Sequence, residues 1–88
     1  MLSDRVVFLL KESAQHRVPG GSVTLFEVVL NDPLQARLGV STGDAREWLT
    51  LSVGEHADVA GIGRLELVDV RIAPPGKSSS VVLDLLPV

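Results

Sequence analysis

The feature of this sequence that most constrains its fold is the spacing of its turn signals. Glycine, proline, asparagine and aspartate cluster about every eight to twelve residues, and short runs rich in valine and leucine lie between the clusters. The clusters are VPGGS (18–22), NDP (31–33), STGD (41–44), VGE (53–55), AGIG (60–63) and APPGKSSS (73–80). This spacing predicts one all-β domain over residues 1–88, a small antiparallel β-sandwich of six or seven strands. An SH3-like or other partly open small barrel is the alternative.

Two neighbouring runs, residues 35–41 and 47–53, give the clearest strands, because apolar and polar residues alternate strictly in both. The side chains predicted to point inward are Ala36, Leu38 and Val40 in the first run and Leu49, Leu51 and Val53 in the second. Trp48 then points outward. The short loop Thr42-Gly43-Asp44 between the two runs predicts a hairpin.

The remaining runs are less regular. In residues 64–72 the alternation changes phase, which predicts a bulge or bend near Leu67-Val68. Residues 80–86 are the expected hairpin partner of that strand, across the loop Pro74-Pro75-Gly76. They have apolar residues on both faces, as do residues 22–30, which is typical of strands covered on both sides. Residues 5–11 favour a strand through Val6, Val7 and Phe8, but Ser3 as a cap leaves a short helix open.

Composition excludes several classes of function. The chain contains no cysteine, so it has neither a disulfide nor a thiolate metal cage. Its net charge is −3 and its eight basic residues are scattered, so we expect no binding of nucleic acid. The longest early apolar run, residues 6–10, is too short for a signal peptide, and no run is long enough to span a membrane. We therefore predict a cytoplasmic protein with no membrane contact.

The most noticeable motif is GEHADVAGIGRLEL, residues 54–67, which combines histidine and acids with a Gly-x-Gly pair. His56 and Asp58 would share one face of a strand, but two ligands are too few for zinc. The Gly61-Ile62-Gly63 pair lacks the third glycine and the following helix of a dinucleotide site. We interpret the motif as a hairpin with a solvated turn. The sequence Gly76-Lys77-Ser78 is likewise interpreted as a loop, since Arg71 stands where a P-loop needs its first glycine. No catalytic residue, metal ligand or cofactor is therefore predicted.

Valine and leucine each occur 14 times, and mean hydropathy is +0.32, which is high for so small a domain. This surplus favours a non-catalytic module that acts through protein–protein contact, as a homodimer. The predicted interface residues are Trp48, Val82, Leu86 and Val88. The alternative is a binder of a small apolar ligand held between the sheets. An enzyme that uses His56 and nearby acids is the third hypothesis.

The run LTLSVGEHADVAGIGRLELVDVRI, followed by the final VVLDLLPV, resembles uncharacterised small all-β proteins of actinobacteria. The similarity covers residues 48–88 and consists of the order of turns and strands. Some of those proteins are encoded in natural-product gene clusters. The resemblance implies an all-β fold, carries no catalytic residue over and leaves the function open. The alternative hypothesis of a small-ligand binder would make the chain an accessory or sequestering protein of a secondary-metabolite pathway.

Overall fold

The computed structural model describes residues 5–87 and contains eight β-strands in that range. They are β1 (Val6–Lys11), β2 (Gln15–Val18), β3 (Gly21–Val29), β4 (Gln35–Thr42), β5 (Ala45–Ser52), β6 (His56–Val59), β7 (Gly63–Arg71) and β8 (Ser80–Pro87). The strand over residues 6–11 resolves the choice between strand and helix in favour of the strand. Strand β2 was not predicted from the sequence pattern. Its sequence QHRV shows little apolar alternation, and it owes its conformation to pairing with β3 across a tight turn.

The strands form two antiparallel sheets that pack together as a β-sandwich, which confirms the predicted fold class. The front sheet has the order β2-β3-β4-β5, and the back sheet has the order β1-β8-β7-β6. The chain passes between the sheets at residues 12–14 and again at residues 53–55. The front sheet is therefore one uninterrupted meander, whereas the back sheet joins the first strand to the last three.

The core lies between the inner sides of the two sheets. Most of its fully buried side chains come from alternate positions of β3, β4, β7 and β8: Val23, Leu25, Ala36, Leu38, Leu65, Leu67, Val81, Leu83 and Leu85. The predicted alternation in β4 is confirmed, since Ala36, Leu38 and Val40 are buried and Arg37 is exposed. In β5, Leu51 is buried and Trp48 points outward, as expected.

Two bulges interrupt the ladders. The one predicted near Leu67-Val68 is confirmed, because the β7–β8 register shifts between Leu67 and Asp69. A second bulge, between Leu25 and Glu27 in β3, was not predicted. It leaves Phe26 without a cross-strand partner in β4. Leu25 is fully buried whereas Phe26 is exposed, so strand alternation directs the aromatic ring to the outer face, and the bulge lets Glu27 face outward as well.

The motif GEHADVAGIGRLEL forms the hairpin β6–β7, as interpreted. Val59 pairs with Gly63 at its turn, and Ile62 between them is fully buried. Gly63 has a φ of 132° and lies so close to the Leu86 carbonyl of β8 that a side chain would collide with it. The second glycine of the Gly-x-Gly pair thus serves backbone packing.

Candidate functional site

The predicted interface residues that fall within residues 5–87 do not lie on one surface. Trp48 is on the outer face of the front sheet, whereas Val82 and Leu86 are on the outer face of the back sheet. Trp48 is 58% exposed and Leu86 is 41% exposed, while Val82 is only half-buried. Val88 lies outside the described residues. Trp48 and the two β8 residues therefore lie on separate surfaces, and their use in an interface stays a prediction.

The outer face of the front sheet presents its side chains in rows that cross all four strands. Antiparallel register places them, since partners on neighbouring strands point to the same side. The first row is Arg17, Ser22, Ser41 and Arg46. The second row is Gln15, Thr24, Gly39 and Trp48. The first row thus has an arginine at each end, and the second row contains a glycine beside the tryptophan.

An aromatic pair covers that glycine. The ring centroids of Phe26 and Trp48 are 4.6 Å apart and the rings are tilted by 47°. A β-carbon built on Gly39 would lie 2.5 Å from Cε2 of Phe26, so the ring occupies the space that a side chain would need. The guanidinium carbon of Arg46 lies 5.9 Å from the Trp48 ring centroid, which is within cation–π range. Two of the three aromatic residues of the chain are thus held together on an exposed face.

Two shallow depressions lie beside this pair and share Gln15 and Ser41. The larger, about 310 Å³, also includes Phe26 and Arg46. The smaller, about 220 Å³, also includes Arg17. Both have amide, hydroxyl and guanidinium groups in their walls, and the larger one also has the aromatic carbon of Phe26. This combination can hold a small molecule with both a polar and a flat apolar part.

The front sheet ends at β5, whose outer edge is open. Ala45 and Thr42 flank a two-residue turn, and further along Val53 N–H donates to Leu34 C=O at 2.9 Å. The hydrogen bonds at these two ends determine which residues of β5 direct their N–H and C=O groups toward β4 and which direct them away from it. The backbone groups that point away from β4 are therefore those of Arg46, Trp48, Thr50 and Ser52.

Glu55 closes one end of this open edge. The Ser52 N–H donates to the Glu55 carboxylate at 2.9 Å, and the Glu55 N–H donates to the Ser52 C=O at 2.9 Å. Three residues then remain with open backbone groups: Arg46, Trp48 and Thr50. In the part of the chain that the structure describes, no strand pairs with them.

The outer face of the back sheet carries a charged cluster at its centre. Register places His56, Glu66 and Asp84 in one row across β6, β7 and β8. The Arg5 guanidinium donates to the Asp84 carboxylate. This hydrogen bond and the charge of Asp84 raise the pKa of Arg5 above its ordinary value. The cluster is thus internally paired at its β1 side.

The same cluster does not form a metal centre in residues 5–87, where no three histidine or acidic side chains converge on one point. His56 and Asp58 are both exposed, and Asp58 accepts a hydrogen bond from Arg64 at 3.2 Å. The turn around them is solvated, as interpreted from the sequence. The loop Gly76-Lys77-Ser78 is exposed as well and connects β7 to β8.

The second histidine packs against the core instead of facing solvent. The ring of His16 stacks on that of Phe8, with centroids 4.1 Å apart and planes within 9°. The contact joins β2 of the front sheet to β1 of the back sheet and covers the side of the sandwich. His16 and His56 therefore lie in different sheets and serve no common site.

Comparison of the chain with protein-family models, curated proteins and solved structures found no match. The resemblance to small actinobacterial proteins therefore stays a prediction. In residues 5–87 there is no helix long and apolar enough to cross a membrane.

Proposed function

We propose that the protein is a non-catalytic module that acts through protein–protein contact, and that a second copy of the chain is its partner. The observation that carries this proposal is the open edge of β5 beside exposed Trp48. An open strand edge pairs readily with another strand, because its N–H and C=O groups are already aligned. The high valine and leucine content agrees with a chain that buries further surface by self-association.

One register of two β5 strands satisfies both hydrogen bonding and charge. If Trp48 lies opposite Trp48 of the partner subunit, the three open residues of each strand all find a partner. Arg46 then faces Thr50 of the partner subunit, and Glu47 faces Leu49 of the partner subunit. No like charges lie opposite each other in this arrangement.

The two neighbouring symmetric registers are less favourable. A pair centred on Arg46 would place two arginines directly opposite each other, which is destabilising. A pair centred on Thr50 would need the backbone groups of Ser52, which are already bonded to Glu55. The Trp48-centred register is therefore the one that the edge favours.

Size-exclusion chromatography with light scattering, over about a hundredfold range of protein concentration, tests this proposal. We expect twice the chain mass of 9.4 kDa at the upper end. Thr50→Pro removes an open N–H without removing a bond to β4, and proline is tolerated at such edge positions. We expect this variant to stay folded and monomeric. A monomeric mass for the unaltered chain at every concentration would contradict the proposal.

A matched control is available on the back sheet. The N–H of Glu12 donates to the C=O of Ser79 at 3.0 Å, so the alternation of the β1–β8 ladder places the N–H of Leu9 at the open edge of β1. Leu9→Pro therefore makes the same change at the other sheet, and we expect it to leave the dimer intact. If Leu9→Pro abolished the dimer and Thr50→Pro did not, the contact would lie on the back sheet.

We further propose that this module works in the cytoplasm. The support is the sequence alone, which contains no cysteine.

A further inference from the structure

The outer face of the front sheet carries positive charge in an acidic chain. Its outward side chains include Arg17, Arg37 and Arg46 but a single acid, Glu27, while the net charge of the whole chain is −3. Arg37 donates to Glu27 at 2.8 Å and is thereby neutralised. Within residues 5–87, neither Arg17 nor Arg46 forms an ion pair with a carboxylate. Two guanidinium groups are thus left to attract an anion from solution.

Between these two arginines the same row supplies hydroxyl donors. Ser22 is only 9% exposed, and its Oγ accepts a hydrogen bond from Nε2 of Gln15 at 2.8 Å. Because the oxygen accepts this bond, the hydroxyl hydrogen of Ser22 is left to donate. Ser41 is the cross-strand partner of Ser22 and adds a second hydroxyl. A row with guanidinium groups at both ends and hydroxyl groups between them suits a carboxylate or phosphate group.

The next row supplies an apolar surface at a short distance. Arg46 and Trp48 are two positions apart in β5, which corresponds to about 7 Å along a strand. The depression of about 310 Å³ connects the two rows, since Ser41, Gly39 and Phe26 all line it. Its volume fits a ligand of one or two rings.

We propose that this face binds a small organic anion. The carboxylate or phosphate lies over Ser22 and Ser41 between Arg17 and Arg46, and the flat apolar part lies against the Phe26–Trp48 pair. This site shares Arg46 and Trp48 with the proposed dimer contact, but it does not require the dimer, because all of its groups come from one chain. It also differs from the apolar cleft between the sheets that the sequence suggested, since it lies on an outer face and selects for charge.

Titrations followed by ¹H–¹⁵N NMR test the site with four probes: 1-naphthyl phosphate, 1-naphthoate, 1-naphthol and inorganic phosphate. We expect one or both of the aromatic anions to shift the amide signals of Gly39 and Ser41 and the indole signal of Trp48. We expect neutral 1-naphthol and ring-free phosphate to bind at least about tenfold more weakly, since each lacks one half of the recognised chemistry. The aromatic anion that binds more tightly shows whether the site prefers a phosphate or a carboxylate group.

Substitutions of arginine then identify the residues that recognise the negative charge of the ligand. Arg17→Gln and Arg46→Gln should each weaken binding of the better anion about tenfold, which is typical for loss of a charge-assisted hydrogen bond. Arg64→Gln makes the same charge change on the outer face of the back sheet and should alter the affinity less than about twofold. Thr50→Pro should bind as the unaltered chain does, which separates this site from the dimer contact.

Three outcomes would overturn the inference. Binding of 1-naphthol as tight as that of the anions would show that the face is only an apolar surface with no recognition of charge. Equal weakening by Arg64→Gln would show a diffuse charge effect without a site. Signals that shift elsewhere on the chain but not at Gly39, Ser41 and Trp48 would place the ligand on another surface.

Discussion

Gly39 and Trp48 are direct cross-strand partners, and the absence of a side chain at Gly39 lets Phe26 reach across β4 to contact the tryptophan. Three strands thus contribute to one aromatic surface: β3 through its bulge, β4 through its glycine and β5 through its edge. The contact therefore depends on glycine at position 39, because any other residue would place a β-carbon against the Phe26 ring.

Gly39→Ala should therefore separate the two rings. A methyl group would lie 2.5 Å from the Phe26 ring, which is exposed and free to rotate away. We expect a clear change in the fluorescence of Trp48, the only tryptophan, with a loss of unfolding free energy of about 1 kcal/mol or less. Thr24→Ala, on the opposite side of Gly39, is the control and should leave the emission nearly unchanged. Unaltered emission in Gly39→Ala would show that the rings do not pair in solution.

Gly63→Ala should be far more damaging. Its β-carbon would collide with the backbone carbonyl of Leu86 and lie 2.8 Å from Cα of Pro87, and neither is a movable side-chain tip. We expect a loss of more than about 2 kcal/mol in urea denaturation. Gly76 has a φ of 85° but no atom within 4 Å of its β-carbon position. Gly76→Ala should therefore cost only about 1 kcal/mol of left-handed strain. Similar losses in the two variants would contradict the close approach of β7 and β8.

Two leucines of β8 provide a test of the packing. Leu83 is fully buried between the sheets, while Leu86 is 41% exposed on the back sheet. Leu83→Ala should lower the unfolding free energy by about 2–5 kcal/mol, because it leaves a cavity in the core. Leu86→Ala should lower it by less than about 1 kcal/mol. The reverse order would mean that β8 presents its other face to the core.

The double change Val82→Lys and Leu86→Glu tests the interface residues that the sequence singled out on β8. Both side chains lie on the back sheet, away from the open edge of β5. We expect the dimer mass measured by light scattering to be unchanged, with a folded circular-dichroism spectrum as the control. A fall to the monomer mass would transfer the self-association contact to the outer face of the back sheet, where Val7 and Leu9 are also exposed.

Much of the fold could be predicted because its signals are local. Apolar alternation is visible within a single strand, as in Ala36, Leu38 and Val40. The phase change at Leu67-Val68 marks the bulge in β7 for the same reason. Gly43, with a φ of 56°, closes the β4–β5 hairpin where a turn signal was expected. Each of these features depends on residues a few positions apart.

The site could not be predicted because it depends on register between distant residues. Arg17 and Arg46 become the two ends of one row only after three strand pairings are known. Phe26 reaches Trp48 through a bulge that no phase change announces, since Leu25 and Phe26 are both apolar. Gly39 in the middle of an alternating strand was the available signal, because such a glycine often marks a close approach.

The division of the chain between the two sheets has a consequence for how the protein folds. Every strand of the front sheet pairs with its neighbour in the chain, so this sheet forms through short loop closures. The pairing of β1 with β8 joins residues as far apart as Arg5 and Asp84, 79 positions away, and closes much more slowly. We therefore expect the front sheet to form first during folding. Until β7 and β8 arrive, its row of leucines and valines stays uncovered, and this early species is where aggregation would begin.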